Sequence, residues 1–116
     1  MAKTLDFYRR AGLPVPEGAE ENGHVEITLG HGAHLSLSTR EVIAMYDRGW
    51  RGLDASTATV LQFALPTREA VDAVYWSLVD AGYQGHLEPI DAFWGSRYCE
   101  VDDPDGHAVG FHSPRA

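Results

Sequence analysis

Two stretches of this chain echo one another, and the echo limits what it can fold into more than any single motif does. His24 to Ser38, HVEITLGHGAHLSLS, aligns with Tyr98 to His112, YCEVDDPDGHAVGFH, at an offset of 74 residues. Ala11-Gly12-Leu13 aligns with Ala81-Gly82-Tyr83 at an offset of 70. Glu26 then falls on Glu100, Ile27 on Val101, Gly32 on Gly106 and Ser36 on Gly110. Such a repeat builds one supersecondary unit twice.

The content of that unit follows from hydrophobic spacing. In Thr67 to Ala81, the residues Ala70, Val71, Val74, Tyr75, Leu78 and Val79 recur at helical steps and form one apolar stripe. Thr67 sits at the N-cap position, Glu69 in the first turn and Gly82 just past the end. A second helix is expected over Ala2 to Ala11, with Leu5, Tyr8 and Phe7 inward and Gly12 stopping it, and a third over Arg40 to Arg48.

Period-two alternation marks strands at His24 to Leu29, Ala33 to Ser38, Thr57 to Leu65, Tyr98 to Val101 and His107 to His112. Gly30-His31-Gly32 turns one pair and Asp103-Pro104-Asp105-Gly106 the other. Each half therefore reads helix, weak strand, hairpin. The second half has a further strand before its helix, ending near Leu65. The counterpart of that strand would fall about five residues before Met1, so module one, at 1–50, is expected to lack its first strand. Module two covers 57–116, and the two form a single domain.

A βαβββ unit used twice, with FWGSRYCEVDDPDGHAVGF near the end, resembles the glyoxalase/bleomycin-resistance/extradiol-dioxygenase superfamily, also called the vicinal oxygen chelate fold. Trp94-Gly95-Ser96-Arg97, the DPDG turn at 103–106 and LDFYRRAGL at 5–13 carry the resemblance, which covers nearly the whole chain. It implies an α+β fold of paired βαβββ modules in a curved mixed sheet, with helices on the outer face. Metalloenzymes of the family place His, Gln or Glu ligands on four strands. The resemblance puts those positions at Gly110, at its repeat mate Ser36, at Val60 (or Gln62 after a two-residue slip), and on the missing first strand. Glycine and valine carry no donor atom and serine is a poor divalent ligand, so no metal or other cofactor is expected. Within the family the chain resembles the bleomycin-resistance type, which implies a protein that holds a drug rather than transforming it. The alternative is a divalent-metal-dependent lyase, isomerase or dioxygenase whose ligands have moved to Glu26, His34, Gln62, Glu100 or His112.

The polar strand faces are expected to line a groove for a small organic molecule. Glu26, His34, Ser36, Gln62, Tyr98, Glu100 and His112 all alternate away from the helices. Glu26 and Glu100, as repeat mates, are candidates to face each other, and two close carboxylates raise one pKa. Trp94, in the loop before a strand, and Trp50, in the Gly-rich connection, suit stacking on a planar ligand. Arg97 either bridges locally or holds a ligand carboxylate. Cys99 alternates to the helix side, where a packed thiol is expected rather than a nucleophile.

Charge narrows the partners. Nine Lys and Arg against 17 Asp and Glu give a formal charge of −8, which disfavours nucleic acid and anionic membranes and favours a cationic ligand, as the tryptophans favour an aromatic one. No apolar run reaches a membrane span, and MAKTLDFYRR lacks the pattern of a signal peptide, so a cytoplasmic protein is expected. The lone Cys99 excludes an internal disulfide. An exposed sheet edge where the first strand is missing favours a homodimer.

Overall fold

The computed structural model describes residues 1–50 and 59–115. They fall into two compact units, Met1–Arg48 and Gly49–Ala116.

In the first unit a helix, α1 (Ala2–Arg10), precedes a hairpin of β1 (His24–Gly30) and β2 (Ala33–Ser38) and a short helix, α2 (Arg40–Ala44). The hairpin is antiparallel, with Val25 opposite Leu37 and Ile27 opposite Leu35, so all four side chains share one face. Leu5 of α1 packs there with Val15, Ala19, Val25 and Ile27 and is fully buried. The turn between the strands needs left-handed backbone at three successive residues, Gly30, His31 and Gly32. Two of the three are glycine, which adopts it without steric cost.

Three expectations for this unit are corrected. Phe7 is 65% exposed, because it lies two residues from Leu5 and therefore off the buried stripe. The third helix ends at Ala44, well short of Arg48. No strand lies between α1 and β1; a turn of 3₁₀ helix at Ala19–Glu21 stands there and delivers Ala19 to the core.

The second unit is a complete βαβββ module. β3 (Leu61–Ala64) leads into α3 (Arg68–Asp80), followed by β4 (Gly85–Asp91), β5 (Arg97–Asp102) and β6 (Ala108–His112). The sheet order is β3-β6-β5-β4, with β3 parallel to β6 and the other pairs antiparallel, so the sheet is mixed. Thr67 caps α3 by accepting from the Ala70 amide at 3.1 Å. The helix lays Val71 and Tyr75 on Cys99 and Val101 of β5, with Val74, Leu78, Val79 and Phe111 around them.

The α+β class is thus as expected, and the second unit carries the expected module; among the described residues the strands are hydrogen-bonded as one two-stranded and one four-stranded sheet. β3 is shorter than the expected Thr57 to Leu65; its expected start lies outside the described residues. Its apolar side chains are less covered than alternation suggests. Leu61 stays exposed, and Phe63, though half open to solvent, stacks on Phe111 with centroids 6.0 Å apart. Among the described residues no helix is long and apolar enough to cross a membrane.

Candidate functional site

Register decides which side chains of the second unit meet. Gln62 on β3 pairs with Gly110 on β6, and Gly110 pairs with Glu100 on β5. One step along, Ala64, His112 and Tyr98 are matched in the same way. Paired residues point to the same side of a sheet, so Gln62, Tyr98, Glu100 and His112 share the face opposite α3.

On that face three polar groups join in series. Gln62 Nε2 donates to Tyr98 Oη at 3.2 Å, and Tyr98 Oη donates to Glu100 Oε2 at 2.6 Å. The second contact has the length of a charge-assisted bond. Both Tyr98 and Glu100 are only 1% exposed, whereas Gln62 is open to solvent. The bond from Gln62 to Tyr98 passes over the intervening strand β6 at Gly110. A Cβ at that position would lie 2.6 Å from Tyr98 Oη and 3.1 Å from Gln62 Cγ. Only a residue without a side chain lets the phenol and the carboxamide meet there.

His86 extends the series, with Nε2 3.8 Å from Glu100 Oε1 and Nδ1 3.6 Å from Asp102 Oδ1. Its side chain is almost wholly buried. Sequence reasoning missed His86 for a definite reason. Gly85 pairs with Val101 and Leu87 with Glu100, so two steps along β4 match one along β5 and His86 is the extra residue of a bulge. A bulge breaks period two and re-aims the side chain. Asp102, also missed, was legible by carrying the alternation of Tyr98 and Glu100 one step further.

The other expected site residues are placed variously. Trp94 lies at Tyr98, its ring 5.4 Å away and inclined at 64°, and is half-buried. His112 is on the same face, half-buried, its Nδ1 3.4 Å from the Ser113 carbonyl. Trp50 is half-buried outside any helix or strand. In the first unit Glu26 and Ser36 are cross-strand partners on the exposed face of the hairpin, and His34 is opposite Thr28. His24 Nε2 is 3.6 Å from Glu26 Oε1.

Of the two alternatives open for Arg97, the structure shows the local bridge. Arg97 alternates with Cys99 to the helix side, where Nε donates to Asp72 of α3 at 2.8 Å and Nη1 to Asp91 of β4 at 3.1 Å. The Asp72 carboxylate is the main cause that raises its pKa above the ordinary value. Arg68 also pairs with Asp91 and donates to the Gly95 carbonyl, so this ionic chain ties down the loop that carries Trp94.

Cys99 is a packed thiol, as expected. Burial first, then Asp72 and Glu100, push its pKa from 9.0 up to about 12, with Arg97 opposing. The native protein is therefore expected to resist alkylation by iodoacetamide at neutral pH and to react once unfolded in guanidinium. The folded pKa lies above that of the unfolded thiol, so this group's contribution is intact below pH 9 and is lost as pH rises toward 12. Denaturant midpoints across that window check the sign.

At Gly110, the position the family resemblance implies on the last strand, the residues do not fit a divalent ion. Gly110 offers no donor, and the space a ligand side chain would take there is held by the Tyr98 hydroxyl. At His86 each imidazole nitrogen faces a different carboxylate. A surface hollow of about 450 Å³ lies elsewhere, lined by Thr59, Leu61, Asp103, His107, Ala108 and Val109, and it includes no residue of the polar series.

Comparison with known proteins gives one family and several solved structures that resemble the chain. A structure described as an NAD-dependent benzaldehyde dehydrogenase from Legionella pneumophila has a TM-score of 0.72 at 18% identity, covering 98% of this chain and 90% of that one. At that identity the likeness is one of fold. A glyoxalase/bleomycin resistance protein/dioxygenase from Nocardioides is 22% identical with a TM-score of 0.45, over 97% and 74% of the two chains. A glyoxalase-related enzyme from Fulvimarina pelagi is 17% identical with a TM-score of 0.48, over 97% and 78%. No curated protein matches the chain. The family described as the glyoxalase/bleomycin resistance protein/dioxygenase superfamily matches residues 1–111, and the chain belongs to it.

Proposed function

We propose that this chain binds a small organic molecule on the polar face of its four-stranded sheet without a divalent metal, and that it sequesters the molecule rather than transforming it. The observation that carries the reading is the Tyr98 hydroxyl standing over Gly110, where metal-dependent relatives would need a ligand side chain. Gln62, Trp94 and His112 form the reachable layer, offering an amide, an indole and an imidazole. Tyr98 and Glu100 lie behind them and hold the amide in place, with His86 and Asp102 further in. The formal charge of −8 favours a cationic ligand and the Trp94 ring an aromatic one, of the kind antibiotic-resistance members of the family hold. A homodimer in the cytoplasm completes the proposal.

One observation favours a second reading, a metal-dependent lyase, isomerase or dioxygenase: an imidazole nitrogen and a buried carboxylate oxygen lie 3.8 Å apart at His86 and Glu100. Native mass spectrometry separates the two, run before and after incubation with nickel, zinc, manganese and iron. The expected result is a dimer mass with no stoichiometric metal. Retention of one metal per subunit, abolished by Glu100→Gln, would replace the first reading with the second.

A further inference from the structure

We infer that Gln62 is the specificity-determining residue of this face, and that the buried tyrosine–carboxylate pair behind it sets the site to accept hydrogen-bond donors. The inference rests on the ligand site proposed above and adds the chemistry that site selects.

The argument follows one proton. A phenol has a single O–H, and that of Tyr98 is committed to Glu100 Oε2 at 2.6 Å. Toward Gln62 the phenol oxygen can then only accept. A carboxamide has a donating end and an accepting end, so the NH₂ of Gln62 must turn inward to Tyr98, as it does at 3.2 Å. The carbonyl Oε1 is thereby turned away from the phenol, on a side chain open to solvent. A lone surface glutamine flips freely between its two orientations. Here the carboxylate holds the phenol and the phenol holds the amide. Gly110 allows that chain to pass over β6, since any side chain there would stand between its members.

The outward Oε1 suits a ligand that brings an N–H or O–H. With the Trp94 ring also set against Tyr98, the ligand class is a flat ring bearing a donor. The excess of acidic residues adds to the preference when the donor is a cation.

Indole and N-methylindole test this, because they share ring and neutrality and differ in the one N–H. Both are titrated against ¹⁵N-labelled protein, with the Gln62 side-chain amide and the Trp94 indole resonances as reporters. Indole is expected to bind about three- to tenfold more tightly, the range of one net hydrogen bond. Tyr98→Phe should remove the preference and shift the Gln62 NH₂ resonances. Gln62→Met, on an exposed side chain with no fold to disturb, should remove the preference with the ring still bound. Equal affinity of the two probes for the wild-type protein would overturn the inference while leaving the ligand site standing. Failure of both probes to move any resonance of this face would overturn the ligand site and the inference together.

Discussion

Tyr98→Ala is expected to lower the unfolding free energy by about 3–5 kcal/mol, the range for a buried aromatic truncated to alanine. Tyr98 is among the largest fully buried side chains of the chain, so its loss opens a cavity that the neighbouring backbone cannot fill. It also takes the phenol proton away from a carboxylate buried beside it. Tyr98→Phe separates these effects. The ring stays and only the hydroxyl goes, so the expected cost is about 1–3 kcal/mol, that of a buried polar group left without its partner. Amide exchange of β5 and β6 measures both variants. If Tyr98→Phe matched the wild type, the contact with Glu100 would carry no stability, and the account of a held amide at Gln62 would lose its support.

The second large effect is expected at Leu5. It is fully buried among Val15, Ala19, Val25 and Ile27, and Leu5→Ala should cost about 2–5 kcal/mol. Phe7, two residues along the same helix and mostly solvated, provides the comparison. Phe7→Ala should fall within about 0.5 kcal/mol of the wild type despite the larger side chain removed. Protection of the Val25 and Ile27 amides is the readout. Equal costs at the two positions would mean that α1 turns a different face to the hairpin than the one described.

Much of this architecture was legible before any coordinate. The α3 helix followed from its apolar stripe and its cap at Thr67, and the hairpin of β1 and β2 from alternation about a Gly-His-Gly turn. Those signals are local, and local signals survive folding. What alternation cannot see is a break in alternation. The bulge at His86 moved a histidine with no periodic signal into contact with two carboxylates. Arg97 stayed open between a local bridge and a ligand contact because its partners, Asp72 and Asp91, lie on elements distant from it in sequence. Phe7 shows the remaining weakness: apolar character gives the wish to be buried, while its angle around the helix decides the outcome.

The hydroxyl over Gly110 has a consequence for which substitutions this sheet accepts. In this chain a change from glycine to glutamate or histidine there would set the new Cβ against the phenol. Tyr98 would have to change first, and changing it strips Glu100 of a close partner. Substitutions at the two positions are therefore coupled: a side chain at 110 is compatible with this packing only where the phenol has given way, so the effects of changing Gly110 and Tyr98 are expected not to add.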